Sequence, residues 1–410
     1  MSYAPQSVPV LRWGIMGTAN IATKNARAMA LSPSANLVAV ASRDAERCSR
    51  WVREHACKPV EEVSCYGSYD GLLDDPDVDA VYIPLPTTMH AEWVAKAASK
   101  GKHVLVEKPV GVDLKQVAAM AHACAKEGKL FMDGVMFMHH ERLLKVEEQL
   151  RGDPGGFFGP VTRVNSAFTF DADATFLEGG NIRTQASGDP LGCLGDLGLY
   201  CVRVGQAAFG WDSPPATARA VRVRRNSSGV PIDVTAEVYW PLPSDQTPPM
   251  AAGAAVTTTQ AEPTLSFHCS FLHPMRQNVE IVGSGRTISM DDFVISDPDD
   301  AAFTLTRSLG QFDKATIIGR DIRKFGTGRS LVQEAAMFDN FAATANAIAS
   351  RGSRDSAATD SGAKKALRHI PEFWPAVAMQ TQAILDAILA SDSQGGAEVP
   401  VPPVPPVPVV

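Results

Sequence analysis

The chain has 410 residues, 45% hydrophobic and 20% charged, with a formal net charge of −7. That describes a soluble globular protein of two or three domains; no apolar run reaches the roughly 18 residues of a membrane span, and the negative charge argues against a nucleic-acid partner, which would need a clustered positive field. Seven cysteines without C-x-x-C spacing read as free thiols of a reducing compartment, so the expected location is the cytoplasm.

The first third of the chain alternates between apolar runs and helix-like stretches. Leu11–Met16 predicts a strand and 20–32 a helix. A second strand covers 35–42, after which Asp44 stands where it can cap a helix running to His55. Strands over 78–86, 103–109 and 130–136 are separated by helices over 89–101 and 114–128. Strand, helix, strand with short connections implies right-handed crossovers and a parallel sheet. Continuously apolar strands fit a sheet covered on both faces. Beyond about residue 155 longer β-rich runs begin at Pro160, Ala216, Asp233, Pro263 and Gln277, with a tight turn over 283–286. One helix over 191–210 interrupts them, and two more follow at 331–350 and 362–390. The expected fold is therefore an α/β, Rossmann-like dinucleotide-binding domain over 10–150, joined to an α+β domain over 151–390 with a mostly antiparallel, open-faced sheet. The Pro/Thr/Ala-rich stretch 242–264 reads as a loop, and 391–410, ending VPPVPPVPVV, as a disordered polyproline-II-like tail.

Several of these elements carry residues suited to chemistry. The run Gly17-Thr18-Ala19-Asn20-Ile21-Ala22 closes the first strand and opens a helix. It approximates G-x-G-x-x-G/A with alanine in the middle position, and a helix N-terminus there suits a pyrophosphate. The second strand ends in Ser42-Arg43, with Asp44 one place later. An acid at this tip accepts from the ribose of NAD, whereas Ser and Arg suit the 2′-phosphate of NADP; NADP is favoured and NAD remains open. Lys108, in Glu107-Lys108-Pro109, ends a parallel strand at the edge where open α/β sheets bind ligands. Its ammonium can orient a hydroxyl, or it can simply pair with Glu107 at the surface. In "GDLGLYCVR", Asp196 and Tyr200 are four apart and share a helix face. A Tyr near a Lys is a plausible proton acceptor, and a packed Tyr beside an exposed Asp is the plainer alternative. For metals, His268, Cys269 and His273 have no further ligand set around them in the sequence, and no metal site is expected.

Together the stretches "RWGIMGTANIA", "AVASRD", the long run from Ser68 to Val110, "GDLGLYCV" and "EIVGSGRTISM" resemble the Gfo/Idh/MocA family, named for glucose–fructose oxidoreductase and inositol dehydrogenase. The resemblance is closest to the branch of trans-1,2-dihydrodiol dehydrogenases and NADP-dependent D-xylose dehydrogenases. It implies an NADP-dependent oxidoreductase acting on a sugar or cyclic dihydrodiol carbinol, with a non-catalytic NAD(P)-binding sensor of the same fold as the alternative. Lys108, Tyr200 and Asp196 would be catalytic. Gly17, Thr18, Ala19, Asn20 and Ile21 would hold the pyrophosphate, and Ser42 and Arg43 the 2′-phosphate. Leu85, Pro86 and His90 would line the nicotinamide side, Glu107 would touch the ribose, and His139 and Arg183 would meet substrate. The resemblance also implies a homodimer formed through the sheet of the second domain.

Overall fold

The computed structural model describes residues 9–152, 158–242, 262–297, 301–309, 317–324, 332–351 and 367–407. Two compact units divide the described chain. One takes its residues from 1–140, 330–382 and 404–410, the other from 141–329 and 383–403.

The first unit is built on six parallel strands, β1 (Leu11–Met16), β2 (Ala35–Ala41), β3 (Ser64–Tyr66), β4 (Ala80–Ile83), β5 (His103–Val106) and β6 (Phe131–Asp133), in the order β3-β2-β1-β4-β5-β6. The reversal of strand order at β1 and β4 is the switch point where such sheets open a crevice at their C-terminal edge. Helices α1 (Asn20–Leu31), α2 (Ala45–His55), α3 (Tyr69–Leu73), α4 (His90–Ser99) and α5 (Leu114–Lys126) connect the strands. The strands bury both faces, as their unbroken apolar runs require. Met16, Val81, Ile83, Val104 and Val106 join one cluster with Trp93 and Val94 of α4 and Val117 and Met120 of α5. Trp13 lies edge-on to Phe338 at 5.0 Å and against Phe341 at 4.7 Å, so α8 (Val332–Arg351) covers the opposite face. The short β3 and α3 were not foreseen: a three-residue strand and a five-residue helix leave no periodic signal in the sequence.

In the second unit, nine strands form one sheet: β7 (Val161–Asp171), β8 (Thr217–Arg225), β9 (Pro231–Tyr239), β10 (Thr264–Ser270), β11 (Leu272–Gly283), β12 (Arg286–Met290), β13 (Ala302–Leu309), β14 (Ile317–Lys324) and β15 (Val399–Pro400). All neighbours are antiparallel except β7 and β10. The long helix expected over 191–210 is a π-helical turn, Leu194–Gly198, running into α7 (Leu199–Phe209). A β-carbon on Gly205 would come within 2.9 Å of Leu265 Cδ2, and one on Gly198 within 3.0 Å of Cys269 Sγ. These two glycines let the helical segment lie directly on β10. A further helix, α6 (Glu141–Gly152), belongs to the same unit.

Two expectations are corrected. Of the last helix, expected over 362–390, residues 362–366 lie outside the described residues; Leu367–His369 form a 3₁₀ turn and the helix itself, α9, is Phe373–Ser393, because Pro371 lacks the N–H and blocks the preceding turn. The Pro-rich end is not a loose tail over its described part. Val399 and Pro400 pair with Ala218 and Thr217 of β8, and Val404 and Val407 pack against the apolar cluster of the first unit. In a polyproline-II segment, with three residues per turn, valines three apart fall on one face, which would explain how a chain this rich in proline can be anchored through Val404 and Val407. The expected loop 242–264 lies almost wholly outside the described residues.

Candidate functional site

In the first unit the loop after β1 turns on Gly17, whose φ of +114° lies in the region that favours glycine. A β-carbon there would stand 3.1 Å from Leu85 Cδ2, so Gly17 and Leu85 form one tight cradle. Helix α1 starts at Asn20 behind Ala19, with no side-chain cap and no acid in its first turn. Its outward amides and positive dipole end are therefore not taken by the protein's own carboxylates, which fits a pyrophosphate. Thr18 Oγ1 accepts from Nε of Arg47 at 3.0 Å. Arg47 is a residue the sequence reading missed. Asp44 does cap α2, its Oδ1 accepting from the Arg47 backbone N–H at 3.0 Å, and this cap sets Arg47 in the first turn facing back toward the loop. Arg43 is exposed beside it and Ser42 is buried, its N–H donating to the carbonyl of Tyr66 at 3.0 Å.

At the end of β5, Glu107 is buried. Its Oε1 accepts from the hydroxyl of Tyr82, and its Oε2 accepts from the backbone N–H of Lys108 at 3.1 Å. Asn25 of α1 donates through Nδ2 to the Tyr82 oxygen at 2.6 Å. A line of hydrogen bonds thus runs from α1 through β4 to the backbone of Lys108. Tyr82 and Asn25 were also missed; Tyr82 reads as one more apolar strand residue until its hydroxyl's partner is known. Lys108 is half-buried, and its peptide bond to Pro109 is cis.

His90 does not offer a ring nitrogen to the crevice. It is buried, with Nδ1 2.9 Å from the Val110 carbonyl oxygen and Nε2 2.9 Å from that of Leu85. Burial pushes its pKa below the ordinary imidazole value, against the pull of those carbonyls. The ring ties the loop after β4 to the loop after β5. His139 is likewise inside the first unit, stacked on Trp374 with centroids 4.7 Å apart, its Nδ1 3.0 Å from Nδ2 of Asn340. Pro86 is partly exposed in the same loop as Leu85.

The second unit brings Arg183 and Asp196 together. Arg183 Nε donates to Asp196 Oδ1 at 3.1 Å, with the carboxylate buried and the guanidinium partly exposed. Asp196 sits inside the π-helical turn and Tyr200 in the first turn of α7. Such single π turns recur where a helix must present side chains to a functional site. The Tyr200 ring meets Phe168 edge-on at 5.5 Å.

A family model described as an oxidoreductase family with an NAD-binding Rossmann fold matches residues 11–135. A dTDP-3,4-didehydro-2,6-dideoxy-alpha-D-glucose 3-reductase of Actinomadura kijaniata is 34% identical over 209 residues, 51% of this chain and 59% of that protein. The chain thus spans about three-fifths of the length of the curated relatives it matches first. The NADP-dependent D-xylose 1-dehydrogenase 2 of Haloferax volcanii is 36% identical over 160 residues, 39% of this chain and 46% of that one. A solved 3-ketoreductase from Actinomadura kijaniata superposes with a TM-score of 0.69 at 23% identity over 93% of this chain and 98% of that one, which shows the shared fold. An uncharacterized oxidoreductase of Rhizobium meliloti is 30% identical over 292 residues, 71% of this chain and 77% of that protein. With its six-stranded dinucleotide-type sheet, its mixed second sheet and these matches, the chain belongs to the Gfo/Idh/MocA oxidoreductase family.

Proposed function

We propose that the protein is an NADP-dependent oxidoreductase of sugar-like carbinols, an aldopentose or a cyclic dihydrodiol, working in the cytoplasm, where its seven free thiols are at home. The observation that carries the reading is the edge formed by the Gly17 loop, the uncapped start of α1 and Arg47 on Thr18, which suits a phosphorylated dinucleotide. Gly17, Thr18, Ala19, Asn20 and Ile21 would hold the pyrophosphate. Arg43 and Arg47 would take the 2′-phosphate, Arg being the side chain that forks onto phosphate. The sugar-directed names of relatives support the substrate class.

When bound, the nicotinamide supplies the hydride acceptor for the carbinol C–H. Tyr200 would take the hydroxyl proton, since a phenol with an ammonium partner can serve as base, and Lys108 would be that partner. Asp196, held by Arg183, would orient the hydroxyl cluster. Glu107 would hold the Lys108 backbone in place through its own hydrogen bond. This assignment rests on the matched motifs. The polar, open face of the second unit's sheet, where Arg163 donates to Asn165 and Ser266, is the proposed homodimer surface.

The test follows NADPH absorbance with NADP⁺ and a panel of aldoses and dihydrodiols. Lys108→Met and Tyr200→Phe are expected to lose roughly 10²–10⁴-fold in rate while still binding NADP. Binding of NADP with no turnover on any member by wild type would instead favour the sensor reading, and unimpaired turnover by both variants would remove the catalytic assignment.

A further inference from the structure

Among the described residues, one group of nitrogen and oxygen donors stands apart from the candidate cofactor and catalytic residues, on the same face of the sheet as Ser266. Asp233 of β9, His268 of β10 and His273 at the start of β11 direct one ligand atom each to a common point, all within 4.8 Å of one another. Asp233 Oδ1 is 2.8 Å from Nε2 of His268 and 3.8 Å from Nε2 of His273. The sequence showed the two histidines five residues apart but not the third donor, which arrives from 35 positions earlier through the β9–β10 pairing.

We propose that Asp233, His268 and His273 form a binding site for one divalent late transition ion, Zn²⁺ foremost. Two imidazoles and a carboxylate are the donors such ions take, and hard ions such as Mg²⁺ and Ca²⁺ prefer all-oxygen sets. Four-coordinate geometry with bonds of roughly 2.0–2.2 Å needs donor atoms about 3.4 Å apart. The 2.8 and 3.8 Å separations bracket that value, so modest side-chain rotations would make the set.

The sheet itself holds the donors. Val234, Ala236, Phe267 and Cys269 are buried on one face of β9 and β10, and strand alternation therefore puts Asp233 and His268 on the other. Asp233 is the anchor: its carboxylate is 9% exposed, while the rings of His268 and His273 are 33% and 52% exposed. In the single chain those rings leave an approach from solvent and room for a water as the fourth ligand. Arg224 stands opposite Asp233 in the β8–β9 register, yet the nitrogens recorded against the Asp233 carboxylate are those of the two imidazoles. The rings themselves meet edge to face at 5.0 Å, so His273 is already turned toward the group. An ion here would cross-link β9, β10 and the start of β11, and would stabilise the sheet by mass action.

The experiment uses the full chain stripped with a chelator and titrated with Co²⁺, read by the visible d–d bands of a four-coordinate ion, and with Zn²⁺ by calorimetry. One equivalent of each is expected per chain, with a rise in Tm on loading. His273→Gln, at an exposed position that leaves folding intact, is expected to weaken binding by more than about tenfold, and His268→Gln likewise. Arg224→Ala is expected to tighten binding by removing a nearby positive charge. No stoichiometric uptake by wild type, or uptake that His268→Gln and His273→Gln leave unchanged, would overturn the proposal.

Discussion

Arg47 shows what one side chain adds to the phosphate loop. The strand tip announces itself as Ser42-Arg43, but Ser42 is buried and it is Arg47, one helical turn on, that reaches Thr18. If this arginine reads the 2′-phosphate, Arg47→Ala removes a charge-assisted hydrogen bond worth about 1.5–3 kcal/mol. The KM for NADP should then rise about tenfold or more while that for NAD changes little; an equal rise for both would place Arg47 on the pyrophosphate or on the loop alone. Tyr82 and Asn25 make the same point from inside the unit. Both look like ordinary strand and helix residues, yet they carry the hydrogen bonds that end on Glu107 and the Lys108 backbone. Sequence could nominate Lys108; which groups hold its backbone became visible only from distances across 57 and 25 residues of chain.

Among the elements, the π turn and α7 do most to place the second unit's candidate residues. Spacing alone put Asp196 and Tyr200 on one helical face, and the structure has a wider turn there, ending on Gly198, which with Gly205 seats the segment on β10. Gly205→Val would push branched carbons against Leu265, where a single β-carbon already approaches to 2.9 Å. Overpacking of this kind costs about 1–3 kcal/mol, so the urea midpoint should fall and kcat should fall with it as Tyr200 shifts. The terminal segment is the second informative element. A chain ending at residue 398 loses the β15–β8 pairing and the packing of Val404 and Val407. Its Tm is expected to drop by a few degrees, as the loss of about 1 kcal/mol per half-buried valine predicts. An unchanged melting curve would return this segment to the status of a loose tail.

Over the whole molecule, partly and fully buried histidines link stability to pH. Burial, with the charge of Lys129 adding to it, pushes the pKa of His103 down to about 4 from an ordinary 6.5, against the opposing charge of Asp79. His90 moves in the same direction. Between those two values the unfolded chain binds a proton that the folded chain refuses, so stability rises with pH across the window and is lost on acidification from about 6.5 towards 4. For His103 the loss is on the order of 2–3 kcal/mol. Denaturant midpoints measured across that range at constant salt should fall, and His103→Gln should flatten part of the fall.

What the sequence determined by itself is local and periodic: the β–α alternation that specifies a parallel sheet, the Asp44 cap and the glycine turn after β1. Those signals are legible because each depends on residues within one or two turns of each other. The strand order of the second sheet, with β7 and β10 parallel amid antiparallel neighbours, was not legible, because pairing between strands separated by about a hundred residues leaves no local pattern. Nor was the start of α9, the anchoring of the proline-rich end, or the interior position of His90 and His139, whose partners come from distant segments. The grouping of Asp233 with His268 and His273 belongs to the same class. Residue types can nominate donors and bases, but only tertiary structure decides which of them meet, because packing and sheet register set distances that sequence separation does not.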